Sequence, residues 1–175
     1  TTLIVVNHAV APLPSDVQLR NLQALLSLPA HGIALPFLNG VLQHGTYDDF
    51  WKARNILPHL KNIKPAMMTV SGWYDANNLY GALHVYQTIE KSTPGASNVL
   101  VIGPWSHGQW ARGSGASLGD VTFGSATSEF YRDNIQAVFF RERLKGEAGA
   151  KLPEAYVFET GTNRWRTFET WPPQG

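Results

Sequence analysis

Asp75 and His107 are the two residues whose types and surroundings could do proton chemistry together. Each closes a short motif, Gly72-Trp73-Tyr74-Asp75 and Gly103-Pro104-Trp105-Ser106-His107. A carboxylate that accepts from an imidazole Nδ1–H fixes the ring's tautomer. It also stabilises the imidazolium formed when the ring takes a proton from a hydroxyl. The pair could therefore serve a nucleophile as its base and the acid behind it. The same residues admit a plainer reading: an aspartate capping the helix that follows it, and a histidine satisfied by a loop carbonyl.

The elements around the pair favour their meeting. Ala66–Val70 and Val99–Ile102 are apolar runs of strand length, each followed by a glycine. The first lacks alternation, as expected of a strand covered on both faces. Between them, Asn77–Lys91 reads as a helix, with Leu79, Leu83, Tyr86 and Ile89 on a three-to-four repeat. Strand, helix and strand within about 40 residues form a β–α–β unit with parallel strands. Asp75 and His107 then fall just past the carboxyl ends of adjacent strands, where an open α/β sheet places its active site. Asp before His is also the α/β-hydrolase order, in which a serine comes first. The one G-x-S-x-G match, Gly115-Ala-Ser117-Leu-Gly119, follows His107 and has no apolar strand leading into it. A nucleophile elbow needs strand, turn and helix, so Ser117 reads as a decoy.

Composition narrows the classes. Apolar content of 43% with 15% charged residues describes a globular chain. A net charge of +1, without runs of Lys or Arg, gives no case for nucleic acid or an anionic membrane surface. The absence of cysteine excludes disulfides, zinc–thiolate sites and a Cys nucleophile, but does not identify the compartment. No apolar run approaches the roughly 20 residues that span a bilayer. The opening TTLIVVNHAV is not an intact signal peptide, and without an initiator Met it fits a mature, trimmed or excised chain. His8, His31, His44, His59 and His84 show no metal-ligand spacing, and no cofactor or metal is expected.

Elsewhere, Thr1–Asn7 fits a short strand. Residues 16–28 fit an amphipathic helix opened by Ser15 and Gln18 as a capping box. Residues 30–45 read as loop. Thr46 and Asp49 signal a short helix that Pro58 ends. Asp48 and Asp49 suit a helix N-terminus better than a substrate ammonium. Residues 108–126, with five glycines, read as irregular loop, and Thr127–Lys145 as an amphipathic helix ended by Gly146. Ala155–Glu159 and Trp165–Phe168 alternate around Gly161-Thr-Asn163 as a hairpin. Two strands do not make a domain, so the sequence is expected to end inside a β domain. Apolar strand edges favour self-association into a homo-oligomer.

Five segments, HGTYDDFWKAR (44–54), VSGWYDANNLYGAL (70–83), NVLVIGPWSHGQW (98–110), YRDNIQAVFFRERLKG (131–146) and LPEAYVFETGTNRWRTFETWPP (152–173), carry a family resemblance. They resemble the X-Pro dipeptidyl-peptidase (S15) family, which includes cocaine esterase, α-amino-acid ester hydrolases and glutaryl-7-aminocephalosporanic acid acylases. The resemblance implies an α/β fold: the C-terminal portion of an α/β-hydrolase domain with part of a helical cap and the first strands of a β jelly roll. Residues 1–45 would belong to the cap, 46–147 to the hydrolase domain and 148–175 to the jelly roll. The Asp of G-W-x-D and the His of G-P-W-x-H would be triad acid and base, here Asp75 and His107. The family's serine and oxyanion hole lie upstream of the cap, so both are expected outside this sequence.

The expected function is a fragment of a serine hydrolase acting on a small-molecule ester, amide or short peptide, inactive without its nucleophile. Trp73, Tyr74 and Trp105 could bind that substrate, or pack at the sheet ends as aromatics commonly do. The contrasting reading is a noncatalytic fragment or binding module that keeps the hydrolase fold.

Overall fold

The computed structural model describes residues 4–6, 36–147 and 152–173. The helix expected over residues 16–28 lies outside them, as do His8 and His31. The chain divides into two compact units. One comprises Thr1–Ala11 and Leu57–Gly175, and the other Pro12–Ile56.

The larger unit is built on a five-stranded sheet of order β1-β2-β3-β6-β7. Its strands are β1 (Ile4–Val6), β2 (Met67–Gly72), β3 (Asn98–Gly103), β6 (Ala155–Glu159) and β7 (Arg164–Phe168). The first four are mutually parallel, and β7 runs antiparallel on β6. β2 and β3 are buried along their whole lengths, as the unalternating sequence of β2 predicts. Helix α3 (Leu79–Ser92) connects them. It starts two residues later than the sequence predicts, because Asp75 caps the turn ahead of it.

Alternate residues of the two central strands serve opposite layers. Met67 packs with Val85 and Ile89 of α3, and Leu100 and Ile102 pack with Tyr86. On the other face Met68, Val70, Val99 and Val101 pack against Tyr131, Ile135 and Phe139. Those three belong to a helical run over residues 127–145, α4, two stretches of which (Tyr131–Gln136 and Arg141–Lys145) are wound in π geometry. The 3.6-residue spacing of the apolar positions aims one stripe of α4 at the sheet. Gly146 ends it in the left-handed region, as expected. Between β3 and α4 the glycine-rich stretch is irregular apart from a 3-10 turn (Gln109–Ala111) and a small ribbon, β4 (Ser117–Leu118) with β5 (Val121–Thr122). Arg132 of α4 ties this stretch down by donating to the Trp110 and Gly113 carbonyls.

Two pairings cross the expected boundaries. The hairpin β6–β7, expected to open the jelly roll, joins the α/β sheet. β6 pairs in parallel with β3 from Leu100↔Ala155 to Ile102↔Val157, and Ala155, Val157 and Phe158 are buried. The chain therefore continues the α/β sheet past residue 148. β1, assigned with residues 1–45 to the cap, likewise belongs to this sheet through its pairing with β2.

The smaller unit shows two helices, α1 (Pro36–Gln43) and α2 (Asp49–Lys52). Residues 30–45 are thus not all loop. Proline is tolerated as the first helical residue because its missing N–H is not needed there. Gly40, which looks like a breaker, gives room to Phe50: a Cβ at position 40 would lie 2.7 Å from that ring. α2 is capped by Asp48, whose side chain accepts from Phe50 N, and not by Thr46.

The feature of the fold that matters most for the site is a backbone interlock beyond β2 and β3. Trp73 N donates to Gly103 O at 2.9 Å and Tyr74 N to Trp105 O at 3.1 Å. Gly72 and Gly103 are register partners at the ends of the strands. A Cβ on Gly72 would lie 2.0 Å from Trp105 O, a backbone atom that cannot swing aside. Gly72→Ala is therefore expected to force the two loops apart and cost at least about 2 kcal/mol, read as a lower urea midpoint; an unchanged midpoint would show the interlock to be compliant.

A second prediction concerns α3. Asn98 of β3 donates to Glu90 Oε1 at 2.8 Å, and Tyr86 donates to Glu154. Burial raises the Glu90 carboxyl above its usual range, with the Asn98 hydrogen bond opposing. A carboxyl raised on folding contributes stability below its unfolded-state value near pH 4, and that contribution is lost as pH rises through its folded-state value. Glu90→Gln should thus raise the urea midpoint at pH 7 and leave it nearly unchanged at pH 4. A variant less stable at pH 7 would overturn this.

Candidate active site

Asp75 stands three residues beyond β2. Its backbone N–H donates to Gly72 O at 3.0 Å, closing the turn that swings the side chain inward. The side chain has no exposed surface. Its two oxygens do different work. Oδ1 accepts from Asn77 N at 3.1 Å and Asn78 N at 3.0 Å, at the entry to α3. Oδ2 lies 3.0 Å from His107 Nδ1. Asp75 thus does two things at once: one oxygen caps the helix start and the other faces the imidazole.

His107 stands four residues beyond β3. Its turn is held on three sides. Gln109 N donates to Ser106 O, Gln109 Oε1 accepts from Ser106 N, and Arg112 donates to the His107 carbonyl at 3.0 Å. Gly108 takes the left-handed conformation that the turn requires. The ring meets Trp110 edge to face, with centroids 6.1 Å apart. The histidine side chain is 40% exposed while its carboxylate partner is sealed. That asymmetry suits an acid–base pair: the carboxylate is kept from water, and the ring can meet an incoming group.

The three aromatics separate. Trp105 has no exposed surface; it packs among Trp110, Tyr131 and Trp165, and its indole N–H donates to Thr127 Oγ1 at 2.9 Å. The expected substrate contact of Trp105 gives way to core packing, because a ring enclosed on all sides offers no wall to a ligand. Trp73 donates its indole N–H to Phe158 O. It also lines a cavity of about 270 Å³ with Val157, Phe168 and Trp171. Tyr74 is 47% exposed and rests against Phe123. Asp48 pairs with His44 at 2.5 Å, and that hydrogen bond holds its carboxyl below the usual range; Asp49 pairs with Lys52. Both acids thus do helix-terminal work.

The sequence reading missed Asn78. It is buried at the entry to α3, and its side-chain amide stands 2.9 Å from His107 Nδ1. An asparagine at a helix start reads as a cap, and nothing in the residue pattern tells that its side chain turns to a histidine 29 residues on.

Ser117, in β4, is exposed; its carbonyl accepts from the Gln109 side chain. β4 is a two-residue strand answered by β5 across a tight turn, not a strand leading into a helix.

The sequence and fold have counterparts among known proteins. The cocaine esterase of Rhodococcus sp. (strain MB1 Bresler) is 28% identical over 153 residues, 85% of this chain and 25% of that protein. Among solved structures, an aminopeptidase from the marine sediment archaeon Thaumarchaeota archaeon superimposes with a TM-score of 0.75 at 29% identity, covering 86% of this chain and 24% of that one. An α-amino acid ester hydrolase superimposes with a TM-score of 0.73 at 29% identity, covering 79% and 23%. The chain spans 16–25% of the length of the curated relatives it matches. The family model described as X-Pro dipeptidyl-peptidase (S15 family) matches residues 11–109, more than half of the sequence and the whole of the interlocked Asp75–His107 region. On that match the chain belongs to the S15 family of hydrolases.

Proposed function

We propose that this chain is the acid–base portion of a serine hydrolase that cleaves an ester or amide through a Ser-His-Asp triad, with Asp75 as the acid and His107 as the base. The observation that carries the reading is the sealed Asp75 carboxylate 3.0 Å from Nδ1 of a half-exposed His107, at the ends of adjacent parallel strands. The nucleophilic serine is assigned to sequence outside this chain. Ser117 is set aside because its ribbon lacks the strand–turn–helix that presents a nucleophile.

The chemistry follows from the pair. The serine hydroxyl attacks the substrate carbonyl carbon while Nε2 of His107 takes its proton. Asp75 Oδ2 holds Nδ1–H and balances the charge that the ring acquires. Collapse of the tetrahedral intermediate passes that proton from Nε2 to the leaving alcohol or amine. Water then repeats the cycle on the acyl-enzyme and frees the serine. A small-molecule ester, amide or short peptide is the proposed substrate class, in keeping with the esterase, ester hydrolase and aminopeptidase named among the relatives. An acylase acting on a side-chain amide falls within it. Tyr74, exposed beside Asp75, is the aromatic best placed to touch that substrate.

Two measurements test this. In the full-length protein, with the fold retained, Asp75→Asn should lower turnover of an activated ester on the order of 10⁴-fold and His107→Ala on the order of 10⁶-fold, the losses expected when a triad acid or base is removed. Rates within tenfold of wild type would reject the assignment, and a wild-type protein with no turnover on any ester, amide or peptide would favour the noncatalytic module. Separately, a fluorophosphonate probe should leave this chain unlabelled, and Ser117→Ala should keep the full rate in the full-length protein. Stoichiometric labelling at Ser117 would restore it as the nucleophile.

A further inference from the structure

Two polar groups converge on one nitrogen. Nδ1 of His107 lies 3.0 Å from Asp75 Oδ2 and 2.9 Å from Nδ2 of the Asn78 side-chain amide. Nδ1 carries either a proton or a lone pair. With a proton it donates, and the amide can meet it only with its oxygen. With a lone pair it accepts, and the amide meets it with its NH₂. The oxygen and nitrogen of an asparagine amide have nearly the same shape, so the hydrogen-bond network decides which of them faces the ring.

The network here decides for the oxygen. Asp75 is sealed, and the two backbone amides of Asn77 and Asn78 are spent on its Oδ1. Oδ2 is met by Nδ1. A bare Nδ1 would set a lone pair against a buried carboxylate oxygen, two acceptors in contact with no proton between them. Nδ1–H therefore points at Asp75, and the Asn78 amide, set with Nδ2 toward the ring, satisfies the same N–H only with its oxygen and nitrogen exchanged, so that Oδ1 completes a three-centre bond.

The position of Asn78 points the same way. It occupies the N-cap of α3, where an asparagine side chain ordinarily accepts from the first helical amides. It makes no such bond. Asp75 Oδ1 has taken over the helix entry, and Asn78, buried at 5% exposure, is left to turn to His107.

We propose that Asn78 is a positioning residue of the Asp75–His107 pair: its carbonyl oxygen, held buried at the start of α3, shares the Nδ1–H of His107 with Asp75 and so holds the ring in the orientation that presents Nε2 as base. The inference rests on the serine-hydrolase reading above. Two acceptors set at different directions also restrict rotation of a ring that is otherwise 40% exposed. The same bond strengthens as the ring gains charge in the transition state, so its loss falls on kcat more than on KM.

The test uses the full-length protein with Asn78→Ala and the closer-volume Asn78→Leu. Each should lower kcat about tenfold, the weight of one hydrogen bond to a group that becomes charged, with KM nearly unchanged. Nitrogen NMR of the His107 ring should show Nδ1 protonated in the wild type and in both variants, with the Nδ1 and attached-proton signals shifted in the variants as the second acceptor is lost. A merely structural Asn78 would lower the urea midpoint without moving the ring signals. The proposal is overturned if kcat of the folded variants stays within twofold of wild type, or if the wild-type proton sits on Nε2 with Nδ1 bare. Retained activity in His107→Ala would instead reject the hydrolase reading beneath it, so the two failures are told apart.

Discussion

The structure depends on how closely two loop backbones approach beyond the ends of β2 and β3. Parallel strands in register bring Gly72 opposite Gly103, and the chain then turns in both loops at once. The amides of Trp73 and Tyr74 find acceptors in the carbonyls of Gly103 and Trp105. Such an approach excludes a Cβ at position 72, where it would meet Trp105 O, and at position 103, where it would meet the Trp105 ring at 2.5 Å. The glycine in each motif is therefore a steric requirement of the interlock. Once the backbones are joined, Asp75 and His107 have little freedom in where their side chains begin.

Asp75 then converts a backbone arrangement into a polar site. A buried carboxylate is tolerable only when its oxygens are satisfied. Helix α3 supplies donors for one oxygen and His107 faces the other. The helix entry, the acid and the imidazole are thus a single hydrogen-bonded assembly, and Asn78 belongs to it because Asp75 relieves it of capping. Trp105 serves the same assembly from beneath. Its buried ring fills the space between the sheet and α4, and its indole reaches Thr127, whose hydroxyl in turn holds the Gly115 carbonyl.

The parts legible in the sequence are those where local pattern and tertiary role coincide. β2 and β3 are apolar because both faces are covered, and the stripe of Tyr131, Ile135 and Phe139 is apolar because α4 packs on one of those faces. Asp75 and His107 could be read because a fully buried strand that ends in glycine points to the residues after it. What could not be read depends on partners distant in sequence. Gly40 looks like a helix breaker until Phe50 is seen against it. β6 and β7 alternate like the start of a separate β layer, yet β6 docks on β3, some 50 residues earlier, through a pairing that a local alternation cannot name. Trp105 looked like a pocket wall because tryptophan suits pockets and cores alike, and only its enclosure separates the two.

Several groups that orient His107 lie between Gly72 and Arg112, within the β–α–β unit and the turn after it. Asp75 and Asn78 come from the first loop, and Gln109 and Arg112 from the turn that carries the ring. The short signature follows: Gly72 and Gly103 are required by the close backbone approach, and that approach brings Asp75 and His107 within 3.0 Å of each other.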